Sequence, residues 1–133
     1  MFFLCKMDNI GGILMPCRHE FGIIDCLEEY DEYQYEPAKY NCVSVDDDFL
    51  GEIYHAGFKY KIEKLETFAH NKNKPFKDLA YYGITLIPPK SLKYFFDIVA
   101  EENVNHRSQE LDMLIDKIST AIEENKWMIH FGI

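Results

Sequence analysis

The 133-residue chain contains no Cys-x-x-Cys pair, no His-x-x-x-His pair, no Gly-x-Ser-x-Gly elbow and no glycine-rich phosphate loop. These absences exclude the common zinc ribbons and helical zinc sites, the α/β-hydrolase nucleophile and the nucleotide-binding loops. No apolar run reaches the ~18 residues that a membrane-spanning helix requires. Base is missing where acid is densest: Asp25 to Glu36 holds six carboxylates and three tyrosines but no lysine or arginine.

That gap belongs to a wider imbalance. Residues 1–58 carry 12 acids and three bases, the whole net charge of −9, whereas residues 59–133 carry 11 of each. A one-signed field attracts cations, basic proteins or metal ions and repels nucleic acid and anionic membrane. The remaining composition is that of one folded domain: 47% hydrophobic residues, with nine tyrosines and ten phenylalanines to supply buried area. Four scattered cysteines (Cys5, Cys17, Cys26, Cys42) and the lack of an export signal point to reduced thiols in a cytoplasmic protein. Residues 1–14 are expected to lie outside the native domain, because Ile10-Gly11-Gly12 back-translates to a purine-rich ribosome-binding box just ahead of Met15. The domain then spans 15–133.

Strand formers at His19–Leu27 and Tyr40–Val45 predict two strands, separated by the acidic stretch that Pro37 closes. Asp46-Asp47-Asp48 then starts a helix in which Leu50, Ile53, Tyr54, Phe58, Ile62, Leu65 and Ala69 recur at helical spacing. Gly51 and Gly57 weaken it. Asn71–Pro75 predicts a turn, and Ala80–Ile87 a central strand that is apolar on both faces. Pro89 or Ser91 opens a second helix, and Ser108 caps a third with Leu111, Leu114, Ile115, Ile118 and Ile122 inward. Trp127–Ile133 predicts a final strand tied into a sheet. The order β-β-α-β-α-α-β predicts an α+β two-layer sandwich, a four-stranded mixed sheet with about three helices on one face. Its uncovered second face is expected to meet another copy in a homodimer.

The blocks Tyr40–Leu50, Tyr82–Pro89 and Met128–Ile133, together with the stretch Met15–Asp25, resemble a group of small acidic bacterial proteins. The resemblance implies a bacterial, cytoplasmic origin and a start at Met15. It carries over no activity and no catalytic residue.

The acidic loop is the leading candidate surface. Tyr30, Tyr33 and Tyr35 are expected to act as rigid anchors, and Glu28, Glu29, Asp31, Glu32 and Glu36 as a rim that steers a basic protein. The expected function is a binding module that docks such a partner, as immunity-type inhibitors do, with no catalytic residue, no cofactor, no nucleic acid and no membrane. Lysines between Lys59 and Lys77 are interrupted by Glu63, Glu66 and Asp78 and read as a solvated face. The competing expectation is a metal-dependent enzyme or metal-binding domain using Asp25, Asp46, Asp48 and His130, with His130 as the base. Helix capping accounts for Asp46 and Asp47 without a metal.

Overall fold

The computed structural model describes the backbone of residues 4–7 and 14–133 and the side chains from Cys17 onward; the expected extension, residues 1–14, falls mostly outside the described residues. Strands β1 (Leu4–Met7) and β2 (Leu14–Pro16) pair as an antiparallel ribbon. The main sheet begins with β3 (Arg18–Ile24), and the acidic loop ends in a 3-10 turn at Pro37–Tyr40 before β4 (Val43–Asp46). Helix α1 (Asp47–Ile53) runs into a π-helical turn at Tyr54–Phe58 and on into α2 (Lys59–Ile62). Strands β5 (Glu66–Ala69), β6 (Pro75–Lys77) and β7 (Ile84–Ile87) follow. The chain closes with α3 (Pro89–His106), α4 (Gln109–Glu124) and β8 (Trp127–Phe131).

The α+β class agrees with the sequence pattern, but the sheet differs. It has six strands in the order β4-β3-β8-β7-β5-β6, and every neighbouring pair is antiparallel. The expected four-stranded mixed sheet is corrected on both counts. Two helices lie between β7 and β8, so the chain reverses direction three times, and β8 comes back antiparallel to β7. The extra strands come from residues assigned to helix and turn. Apolar spacing continues to Ala69, yet the helix stops at Ile62, and Thr67 and Phe68 pair with Phe76 and Pro75. A β-branched and an aromatic residue fit a pleated surface at least as well as a helix. Gly57 sits at φ +126°, a conformation open chiefly to glycine, and it kinks the helical run within the turn at Tyr54–Phe58, dividing it in two.

Alternation along the central strands divides the core in two. On one face Phe21, Val45, Ile87 and Met128 pack against α3 and α4 through Leu92, Phe95, Leu111 and Ile118. On the other, Ile24, Ile84, Leu86, Ile129 and Phe131 are covered by the acidic loop through Tyr33, with Leu27 and Tyr40 beside it. The face expected to be free for a homodimer is therefore occupied by the chain itself. Cys26, which is exposed, and Cys42, which is half-buried, are free thiols.

Candidate functional site

The acidic loop is held down by one of its own expected anchors. Tyr33 is 3% exposed, its hydroxyl accepts from the Glu28 amide at 2.8 Å, and its amide donates to the His70 carbonyl at 2.9 Å. Burial pushes the Tyr33 phenol up from its ordinary range. Tyr30 and Tyr35 remain about two-fifths exposed (41% and 44%), and the Asn71 side-chain amide fastens the Asp31 carbonyl. Several of the carboxylates are matched by the chain's own lysines. Asp25 pairs with Lys126 at 2.9 Å, Glu36 with Lys39 at 3.9 Å, and Glu29 with Lys72. Glu28, Asp31 and Glu32 are exposed and form no ion pair among the described residues.

The alternative metal set is not brought together. Asp25 follows the end of β3, whereas Asp46 lies opposite Arg18 at its start, and seven strand residues span roughly 23 Å. Asp46 caps α1 by accepting from the Phe49 amide at 3.1 Å, as capping predicts, and Asp48 is exposed. Among the described residues no three His, Cys, Asp or Glu side chains are placed to hold a metal ion.

What the fold does assemble is a hydrogen-bonded chain that the sequence pattern did not reveal. β3 and β8 are neighbours with Phe21 opposite His130, so His19 lies diagonally across from His130 on the helix-covered face. His19 Nδ1 is 2.9 Å from His130 Nε2, and the two rings stack at 5.2 Å with 11° between planes. His19 Nε2 is 2.8 Å from Asp47 Oδ1, while the Tyr81 hydroxyl donates to Asp47 Oδ2 at 2.8 Å. At the other end His130 Nδ1 lies 3.3 Å from Thr85 Oγ1, which itself accepts from the Ala80 amide at 2.7 Å.

These partners fix the direction of every bond. A carboxylate at Asp47 only accepts, so His19 Nε2 carries the hydrogen and its Nδ1 is bare. His130 must then donate through Nε2 and accept at Nδ1 from the Thr85 hydroxyl. With both imidazoles neutral the whole chain is satisfied, and no buried side-chain nitrogen or oxygen among the described residues is left unpaired. Burial favours that state. It lowers the His19 pKa despite the pull of Asp47, and it drives His130, with neighbouring His19 adding to the effect, well below the ordinary histidine value. Burial and Asp47 together raise the Tyr81 phenol. Tyr81 is set in place by the end of the chain: the Gly132 and Ile133 amides bond the Gly83 and Tyr81 carbonyls at 2.7 and 2.9 Å. A β-carbon at Gly132 would stand 2.2 Å from the Tyr81 carbonyl oxygen.

The hydrogen-bonded side chains His19, Asp47 and Tyr81 reach the wall of a cavity of about 730 Å³, formed between α1, the π-helical turn and the loop before β7. His19, Asp47 and Tyr81 supply its polar wall; Leu50, Tyr54, Phe58 and Leu79 supply its apolar one. Gly51 also lines it, and a β-carbon built there would meet nothing within 4 Å. Asp78, at φ +76°, lines the rim with its carboxylate accepting from the Leu79 amide at 2.6 Å, and burial raises its pKa. The signals available beforehand were two inward histidines at alternating strand positions. Their meeting depended on the β3–β8 register. No family model, curated protein or solved structure matches this chain.

Proposed function

We propose that the chain is a binding module whose site is this cavity, and that its occupant is a small molecule oriented by Asp47 and Tyr81. The observation that carries the proposal is the combination of a roomy, partly apolar recess with polar groups held rigidly by hydrogen bonds from the core. Gly51 supports it. Glycine inside a helix costs roughly 0.5–1 kcal/mol relative to alanine. Here it is required neither by close packing nor by a left-handed backbone, since open space surrounds the missing side chain. What its absence of a side chain does leave is room.

Titration with benzyl alcohol, followed by amide and aromatic chemical shifts, tests the site. Perturbations should cluster at Leu50, Tyr54, Phe58 and Leu79 and vanish in Gly51→Phe, whose added ring fills the recess. Gly51→Leu serves as the second variant should the larger ring disturb the helix. Shifts scattered over the surface, or unchanged in both folded variants, would overturn the proposal.

A second reading rests on a separate observation. Glu28, Asp31 and Glu32 stay unpaired among the described residues on a loop immobilised by Tyr33, so a fixed patch of negative charge faces solvent. Docking of a basic protein there is the expectation that the charge asymmetry raised, now confined to these three carboxylates with Tyr30 and Tyr35 beside them.

A further inference from the structure

We infer that the cavity selects an organic cation, an amine with an apolar or aromatic body, over neutral and anionic molecules of the same shape. The inference rests on the cavity being the binding site and adds the chemistry of its occupant.

The lining carries four carboxylates, Asp47, Asp48, Glu52 and Asp78, and no lysine or arginine. Its two histidines are His19, which the hydrogen-bonded chain holds neutral, and His55 on the exposed π-helical turn. Asp48, Glu52 and Asp78 form no ion pair among the described residues, although lysine and arginine make eight ion pairs elsewhere. Asp48 and Glu52 are four residues apart on α1, an arrangement of like charges that destabilises an isolated helix. Charge gathered around a recess and left without an internal counter-charge is charge available to a ligand.

The walls then distinguish the kind of cation. Tyr54, Phe58 and Tyr81 offer aromatic surface, which attracts an ammonium group and accommodates an apolar body. A bare metal ion wants several oxygen or nitrogen ligands converging on one point, and no such group exists among the described residues. Asp47 cannot serve as a free counter-ion without loss, because both its oxygens are already bonded, one to His19 and one to Tyr81. Recognition of the cationic head therefore falls to Asp48, Glu52 and Asp78, while Asp47 and Tyr81 fix the wall against which the body lies.

The test compares three probes of one shape: benzylamine, benzyl alcohol and benzoate, titrated at pH 7.5 into the full chain. Benzylamine should bind at least about tenfold more tightly than benzyl alcohol, a difference that one modest charge or cation–π contact supplies. Benzoate should give no saturable shift at Leu50, Tyr54 or Phe58. The triple variant D48N/E52Q/D78N keeps side-chain shapes and should remove the preference while leaving benzyl alcohol unchanged. Equal affinities for amine and alcohol, both blocked by Gly51→Phe, would overturn the cation selectivity and leave the cavity standing as the site. Amine shifts that persist in Gly51→Phe and in Gly51→Leu would place the amine elsewhere and overturn both.

Discussion

The two faces of one sheet are covered in unlike ways. One lies under α3 and α4, 18 and 16 residues of regular helix; the other lies under an acidic loop whose regular structure is one 3-10 turn. The helical side is secured by many interlocking side chains, so it can tolerate buried polar groups such as His19, His130 and Thr85 in its layer. The loop side depends on few points: one buried tyrosine, a handful of hydrogen bonds and surface ion pairs. Exposed pairs of this kind contribute little each. The lesson is that apolarity on both faces of a strand says that both are covered, but not whether the cover is another subunit or the chain's own loop.

The largest expected effect tests how far the loop depends on its anchor. Tyr33→Ala should destabilise the protein by about 3 kcal/mol in urea unfolding, the range for deleting a buried aromatic ring. Tyr33→Phe, which loses only the bond to the Glu28 amide, should cost about 1 kcal/mol. Amide exchange should rise across residues 25–42 in the alanine variant and stay unchanged in α3 and α4. Equal costs for the two substitutions would mean that the ring contributes nothing and that the loop is held by its rim.

How much of this was legible beforehand depends on the range of the interaction. Local chemistry was readable. Asp46 and Ser108 cap helices as their residue types suggest, Ser108 accepting from the Glu110 and Leu111 amides. Leu111, Leu114 and Ile118 are buried as the spacing requires, although at the end of α4 it is Ala121 that turns inward and Ile122 that lies 40% exposed. The terminal strand is there, and in the middle of the sheet. Pairing was not readable. His130 could be placed on the face opposite Ile129, but its meeting with His19 required a register that only the folded sheet sets. The same limit hid Asp47, which looks like one more cap residue until His19 and Tyr81 are seen to claim its two oxygens. Tyr33, expected to anchor a partner from the acidic run, lies instead in the core, because an aromatic ring inside a charged stretch is equally suited to either role.

A second expected effect separates the faces by pH. The unfolded chain protonates each of its two network histidines near pH 6.5, whereas burial holds their folded values lower. Below that point the unfolded state binds more protons than the folded one, so stability is fullest above about pH 6.5 and declines as the pH falls through it. Each histidine contributes up to about 1.4 kcal/mol per pH unit. Urea unfolding at pH 7.5, 6.5 and 5.5 should show this decline in the parent and in Tyr33→Phe alike, and a shallower one in His19→Gln. An identical slope with and without His19 would remove the histidines from the acid response.

The smallest effect is the most discriminating between space kept for a ligand and space that is merely left over. Gly51 and Gly57 are six residues apart in the same helical run, and neither has a neighbour within 4 Å of where a β-carbon would stand. Only Gly57 needs its backbone freedom, at φ +126°. Gly51→Ala should therefore stabilise the protein by about 0.5–1 kcal/mol, raising Tm by a few degrees, because alanine restricts the unfolded chain and strengthens the helix. Gly57→Ala should lower Tm instead, by strain of about 1 kcal/mol or more. Should Gly51→Ala also weaken benzylamine binding, stability and occupancy of the cavity pull in opposite directions at this residue, as expected of a position given up to a ligand. Should Gly51→Ala stabilise without touching binding, the glycine is an unoptimised helix position, and the case for the cavity falls back on Asp47, Tyr81 and the histidine pair behind them.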